Sequence, residues 1–113
     1  MNPGVVVVVT EQEAVRRVLT STLENEGWVV LALEDGAELF DFMEFMTEHP
    51  SVRGVPRLIV ADASVPGPSV CEVAAWARVK GLDVPFVLFT EDHDASSKEL
   101  ARALGAVEHS AAA

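Results

Sequence analysis

Three apolar runs in this chain end on residues that could do chemistry. Leu58-Ile59-Val60-Ala61 stops at Asp62, Val5 to Val9 stop at Thr10-Glu11, and Pro85 to Phe89 stop at Thr90. An apolar run bounded by turn residues reads as a buried parallel strand. A carboxylate at the C-terminal end of such a strand lies where open α/β sheets place their ligands. If Glu11 and Asp62 come from neighbouring strands, they should face each other across a crevice. Two carboxylates so placed repel unless a proton or a cation sits between them. A hard divalent ion such as Mg²⁺ suits that setting, held by one or two carboxylates, a backbone carbonyl and water. A loop carbonyl near Ser64, after Asp62, would supply the third protein ligand.

The elements that must position these groups follow in order. Five consecutive valines without polar alternation predict a central strand covered on both faces. Thr10 or Glu11 is placed to cap a helix from about Glu13 to Glu26, with Val15, Val18, Leu19, Thr22 and Leu23 inward and Arg16, Arg17 and Glu24 outward. Gly27 ends it. Trp28 to Leu33 is a second strand. A helix from about Ala37 to Glu48 has an apolar arc wider than one face needs, so some of Leu39, Phe40, Phe42, Met43, Phe45 and Met46 should be exposed or cover a partner. After the strand at 58–61, Ser69 caps a helix to about Lys80, inward through Val70, Val73, Ala74 and Ala77, with Trp76 and Val79 off that stripe. The run 85–90 is a fourth strand, with Pro85 at its tolerated first position. A fourth helix (about 95–104), capped by Gly105, and a weak fifth strand (106–109) complete the pattern.

Alternating strands and helices with short links predict one α/β domain over residues 1–113: a doubly wound parallel sheet of five strands in the order 2-1-3-4-5, with right-handed crossovers. Ala111-Ala112-Ala113 reads, on composition alone, as a linker tail.

Composition narrows the function classes. The 113 residues carry a net charge of -10, which argues against a nucleic-acid backbone or an anionic membrane surface as partner. Acid-rich charge also serves solubility. No apolar run approaches a membrane span. Met1-Asn2-Pro3-Gly4 lacks the basic start of a signal peptide, and a lone cysteine, Cys71, fits a reducing cytoplasm. Cys71 has no basic neighbour close in sequence, so it reads as inert. His49 and His93 have no ligand-spaced companions for zinc. The loop after the first strand lacks the glycines and hydroxyls that cradle a nucleotide phosphate.

Taken together, these segments resemble the receiver domain of two-component response regulators. Val5 to Val9 with Thr10-Glu11 and Ala14-Val15-Arg16-Arg17 resembles that family's first strand, acidic pair and first helix. Pro56 to Asp62 followed by Val65-Pro66-Gly67 resembles the phosphoacceptor strand and its Pro-Gly loop. Val84 to Thr90 resembles the strand ending in the switch hydroxyl, and Ala103-Leu104-Gly105-Ala106 the link into the fifth strand. The resemblance implies that Asp62 takes a phosphoryl group from a phosphohistidine on a sensor histidine kinase. Glu11, Asp62 and the Ser64 carbonyl would hold Mg²⁺, Thr90 would bond the phosphoryl group, and His109 would occupy the place of an aromatic switch. Such transfer is mostly positioning and charge neutralisation, so the protein is not expected to be an enzyme in its own right.

The departures set the competing expectation. Thr10 stands where the family usually has an acid, which removes one charge from the metal site. The family's lysine after strand five would fall near Ala112, and no lysine follows Lys98. A fifth helix is missing, so the first helix would cover its face alone and leave room for a homodimer or another partner. These departures point instead to a pseudo-receiver, a protein-interaction module whose signalling bypasses Asp62. Glu11 is open between metal ligand and helix N-terminal acid.

Overall fold

The computed structural model describes residues 3–49 and 56–89. Four strands and three helices alternate: β1 (Val5–Val9), α1 (Glu13–Asn25), β2 (Val29–Leu33), α2 (Gly36–Glu48), β3 (Leu58–Asp62), α3 (Val70–Val79) and β4 (Phe86–Phe89). All pairings are parallel and the strand order is β2-β1-β3-β4. The expected fourth helix and fifth strand lie outside the described residues. In that order β1 and β3 are neighbours, so the chain switches direction across the sheet between them.

The valine run is buried because it is central. Val7 and Val9, with Ile59 and Ala61 of β3, face α2 and α3 and pack on Leu39, Met43, Val70, Val73 and Ala77. Val6 and Val8, with Leu58 and Val60, face α1 and pack on Leu19, Leu23 and Trp28. Side chains alternate across a strand, so a strand covered on both faces must be apolar throughout.

Local signals set the helix starts. Asp35 accepts from Glu38 N at 2.9 Å, while Glu38 reaches back to Glu34 N. Ser69 accepts from Glu72 N at 3.1 Å. The start of α1 differs from expectation. Its N-cap position is Gln12, with no side-chain cap. The Thr10 hydroxyl accepts instead from Gln12 N at 3.2 Å, which makes a turn before the helix rather than a cap on it. Gly27 has φ +94°, the left-handed conformation that turns the chain out of α1.

Two expected orientations are corrected. Val18 is 52 % exposed because Leu19 and Leu23 already fill the space under α1. Arg16 turns inward, drawn by the carbonyl that ends β1 (below). On α2 the wide apolar arc resolves as Leu39, Met43 and Met46 buried, Phe40 and Phe42 half-buried, and Phe45 exposed. Off the α3 stripe, Val79 is exposed and Trp76 lies against Phe40, ring centroids 4.7 Å apart.

Candidate functional site at the carboxyl edge of the sheet

Thr10 and Asp62 follow and end the two neighbouring central strands; β1 and β3 pair through Val9 and Ala61. They are the two fully buried polar side chains among the described residues, 0 % and 1 % exposed. A carboxylate taken out of water must find donors, and Asp62 finds them unequally. Its Oδ1 accepts from Ser64 N at 2.9 Å and Ser64 Oγ at 2.7 Å. Its Oδ2 meets Thr10 Oγ1 at 3.4 Å and Gln12 Nε2 at 3.5 Å. One oxygen is therefore anchored by two short bonds, and the other is loosely held by two long ones.

The loop after Asp62 is itself fixed. Ala63 N bonds the carbonyl of Phe89, the register partner of Asp62 on β4, at 2.8 Å. Gly67 takes φ +93° to turn the loop, and Pro66 O accepts from Gly36 N at 2.9 Å. A Cβ on Gly36 would fall on the Pro68 carbonyl. The absence of a side chain at Gly36 is what lets the loop lie on the start of α2.

On the other side of the site, an Arg16 Nη donates to Thr10 O at 2.9 Å and lies 3.8 Å from Glu34 Oε1. The guanidinium ties the end of β1 to the loop after β2, and its Nε is buried without a partner. Gln12 and Arg16 are the site residues that sequence reasoning missed. Both lie just past a strand end, one helical turn apart, so they share a side of α1. That spacing was the available signal.

Of the residues predicted from the sequence, Asp62, Ser64 and Thr10 are brought together. Glu11 is exposed, and its carboxylate makes no hydrogen bond to Asp62. It directly precedes Gln12, whose amide does reach Asp62. Thr90 and His109 lie outside the described residues. Among the described residues no group of three or more His, Cys, Asp or Glu side chains could hold a metal. Oxygens of Asp62, Thr10 and Ser64 converge here beside the Gln12 amide nitrogen, and Mg²⁺ commonly works with one or two carboxylates completed by phosphate and water. Among the described residues Asp62 is the one carboxylate buried at this edge, and Glu11, the expected second ligand, is turned to solvent.

No protein-family profile matches the sequence, and no curated protein matches it. Solved structures do. The chain is similar to the signal receiver domain of NarL from Mycobacterium tuberculosis, with 19 % identity and a TM-score of 0.70 over 96 % of this chain and 98 % of that one. It is similar to the receiver domain of the hybrid histidine kinase CckA, with 23 % identity and a TM-score of 0.68 over 90 % and 96 % of the two chains. A LuxR-family DNA-binding response regulator from Staphylococcus aureus matches with 19 % identity and a TM-score of 0.66, covering 93 % of this chain and 98 % of that one. The fold is that of a response-regulator receiver domain. Among the described residues, no helix is long and apolar enough to cross a membrane.

Proposed function

We propose that this chain is a cytoplasmic signalling receiver that takes a phosphoryl group on Asp62 from a phosphohistidine of a partner kinase. The observation that carries the reading is the unequal hold on the carboxylate: Oδ1 is anchored by Ser64 and Oδ2 is left weakly bonded at the switch-point edge. In the transfer Oδ2 forms the new O–P bond, the N–P bond of the phosphohistidine breaks, and the released imidazole keeps the electron pair. Thr10 Oγ1 and Gln12 Nε2 already point hydrogen-bond donors at Oδ2 and can follow the phosphoryl oxygens. Mg²⁺ held by Glu11, Asp62 and the Ser64 carbonyl would neutralise charge on those oxygens. Thr90 is assigned the bond to the phosphoryl group and His109 the place of the switch.

A second reading has its own observation. Asp62 is 1 % exposed and its hydrogen bonds among the described residues come from neutral donors, while the nearby acid Glu11 is turned to solvent. Such a carboxylate can serve as a structural tie between β1, β3 and the next loop. The domain would then act as a pseudo-receiver through its surfaces. Val18, exposed on α1, lies on the face a homodimer would cover, and light scattering across concentrations tests that point.

Incubation with acetyl phosphate and Mg²⁺ followed by intact-mass measurement separates the two. A phosphoryl adduct on the wild type that Asp62→Asn abolishes supports transfer to Asp62. No adduct leaves the pseudo-receiver reading standing.

A further inference from the structure

A groove of about 260 Å³ runs between α2 and α3, away from the Asp62 carboxylate. Its lining is Phe40 from α2, Glu72, Val73 and Trp76 from α3, and Pro68 from the loop between β3 and α3. The floor is apolar and the two rings are half-buried, so each keeps a surface that packing has not used. Of the nearby acids, Glu72 lines the groove itself, and helical spacing sets Glu44 beyond it on α2. Glu72 is one turn before Trp76, and Glu44 is one turn after Phe40. Both glutamates are exposed, and neither carboxylate is held in an ion pair among the described residues. The whole of α2 carries Glu38, Asp41, Glu44 and Glu48 and no basic residue.

We infer that this groove docks a basic amphipathic helix of another protein. Its apolar side chains would sit on Phe40, Val73 and Trp76, and its lysines or arginines would meet Glu44 and Glu72. Charge complementarity selects this occupant. A chain with net charge -10 repels a second copy of itself and attracts a cationic segment. The Trp76 ring already attracts a cation, since Lys80 Nζ stands 6.0 Å from its centroid. Aromatic rings rimmed by Glu44 and Glu72, with Lys80 at one end, give the anchor-and-rim arrangement that amphipathic helices use in grooves. The inference is independent of phosphorylation at Asp62.

The test uses a short synthetic amphipathic helix of leucine and lysine as probe, with affinity measured by calorimetry. Glu44→Lys combined with Glu72→Lys should weaken binding about tenfold more than Glu24→Lys combined with Glu26→Lys, which makes the same charge change on and just after α1. Trp76→Ala, checked for folding by circular dichroism, should weaken binding about tenfold as well. A leucine–glutamate helix should not bind. Equal losses in the two double variants would reduce the effect to net charge and overturn the inference, as would unchanged affinity in Trp76→Ala or no binding of the probe. A dimer in light scattering that Trp76→Ala dissociates would make a second copy the occupant and also overturn it.

Discussion

Gly36→Ala puts helix propensity and tertiary packing in opposition. Ala in place of Gly inside a helix ordinarily stabilises by up to about 1 kcal/mol, and less at the first helical position. Here the new methyl would overlap the Pro68 carbonyl, which is backbone and cannot rotate away. The loop must lift, and the Gly36 N to Pro66 O bond of 2.9 Å is stretched or lost. Overpacking costs about 1–3 kcal/mol, and the bond contributes about 1 kcal/mol. The structure therefore sets the sign as destabilising, by roughly 1–3 kcal/mol after the propensity gain. Urea unfolding would show a lower midpoint at unchanged slope, and the Tm should fall by roughly 4–8 °C per kcal/mol. The same lift displaces Ser64, four residues before Pro68, so any phosphorylation of Asp62 should slow. Equal or higher stability in the variant would refute the clamp of this loop on α2.

Ser64→Ala removes the 2.7 Å bond to Asp62 Oδ1 and keeps the backbone one; it should cost about 1 kcal/mol in urea unfolding and slow acetyl-phosphate labelling without abolishing it. Thr10→Asp places a second carboxylate beside Asp62 at a fully buried position; it should lower the Tm in the absence of divalent ions, with partial recovery on adding Mg²⁺. A thermal scan in which Mg²⁺ makes no difference would count against the cation site. Leu19→Ala removes a side chain 1 % exposed under α1; it should cost about 2–5 kcal/mol, a large share of the roughly 5–15 kcal/mol that holds a domain together.

The layered α/β fold was legible because it rests on local signals. The valine run, the Ser69 cap and the turn at Gly27 each act within a few residues, so their chemistry is written along the chain. The alternation of strands and helices implied a doubly wound sheet, whose usual order sets β1 beside β3 and Asp62 at the carboxyl edge. What surrounds Asp62 was not legible in the same way. Glu11 looked like its neighbour because charge and spacing favoured a pair of acids, yet the turn that Thr10 makes with Gln12 N points Gln12 inward and leaves Glu11 in water. Arg16 read as a surface residue by helical periodicity, but the unpaired carbonyl at the end of β1 draws its guanidinium in. Nothing within its own segment marks Gly36 as a packing residue; the Pro68 carbonyl against it does. The sequence by itself determined the four strands and three helices described and a buried acid at the switch point, because apolar patterning is a property of a segment. Ser64 holds that acid from two residues away, but which distant donors reach it, and which loop leans on which helix, only the tertiary structure decided, because those contacts join residues some thirty to fifty positions apart and depend on angles that no segment fixes alone.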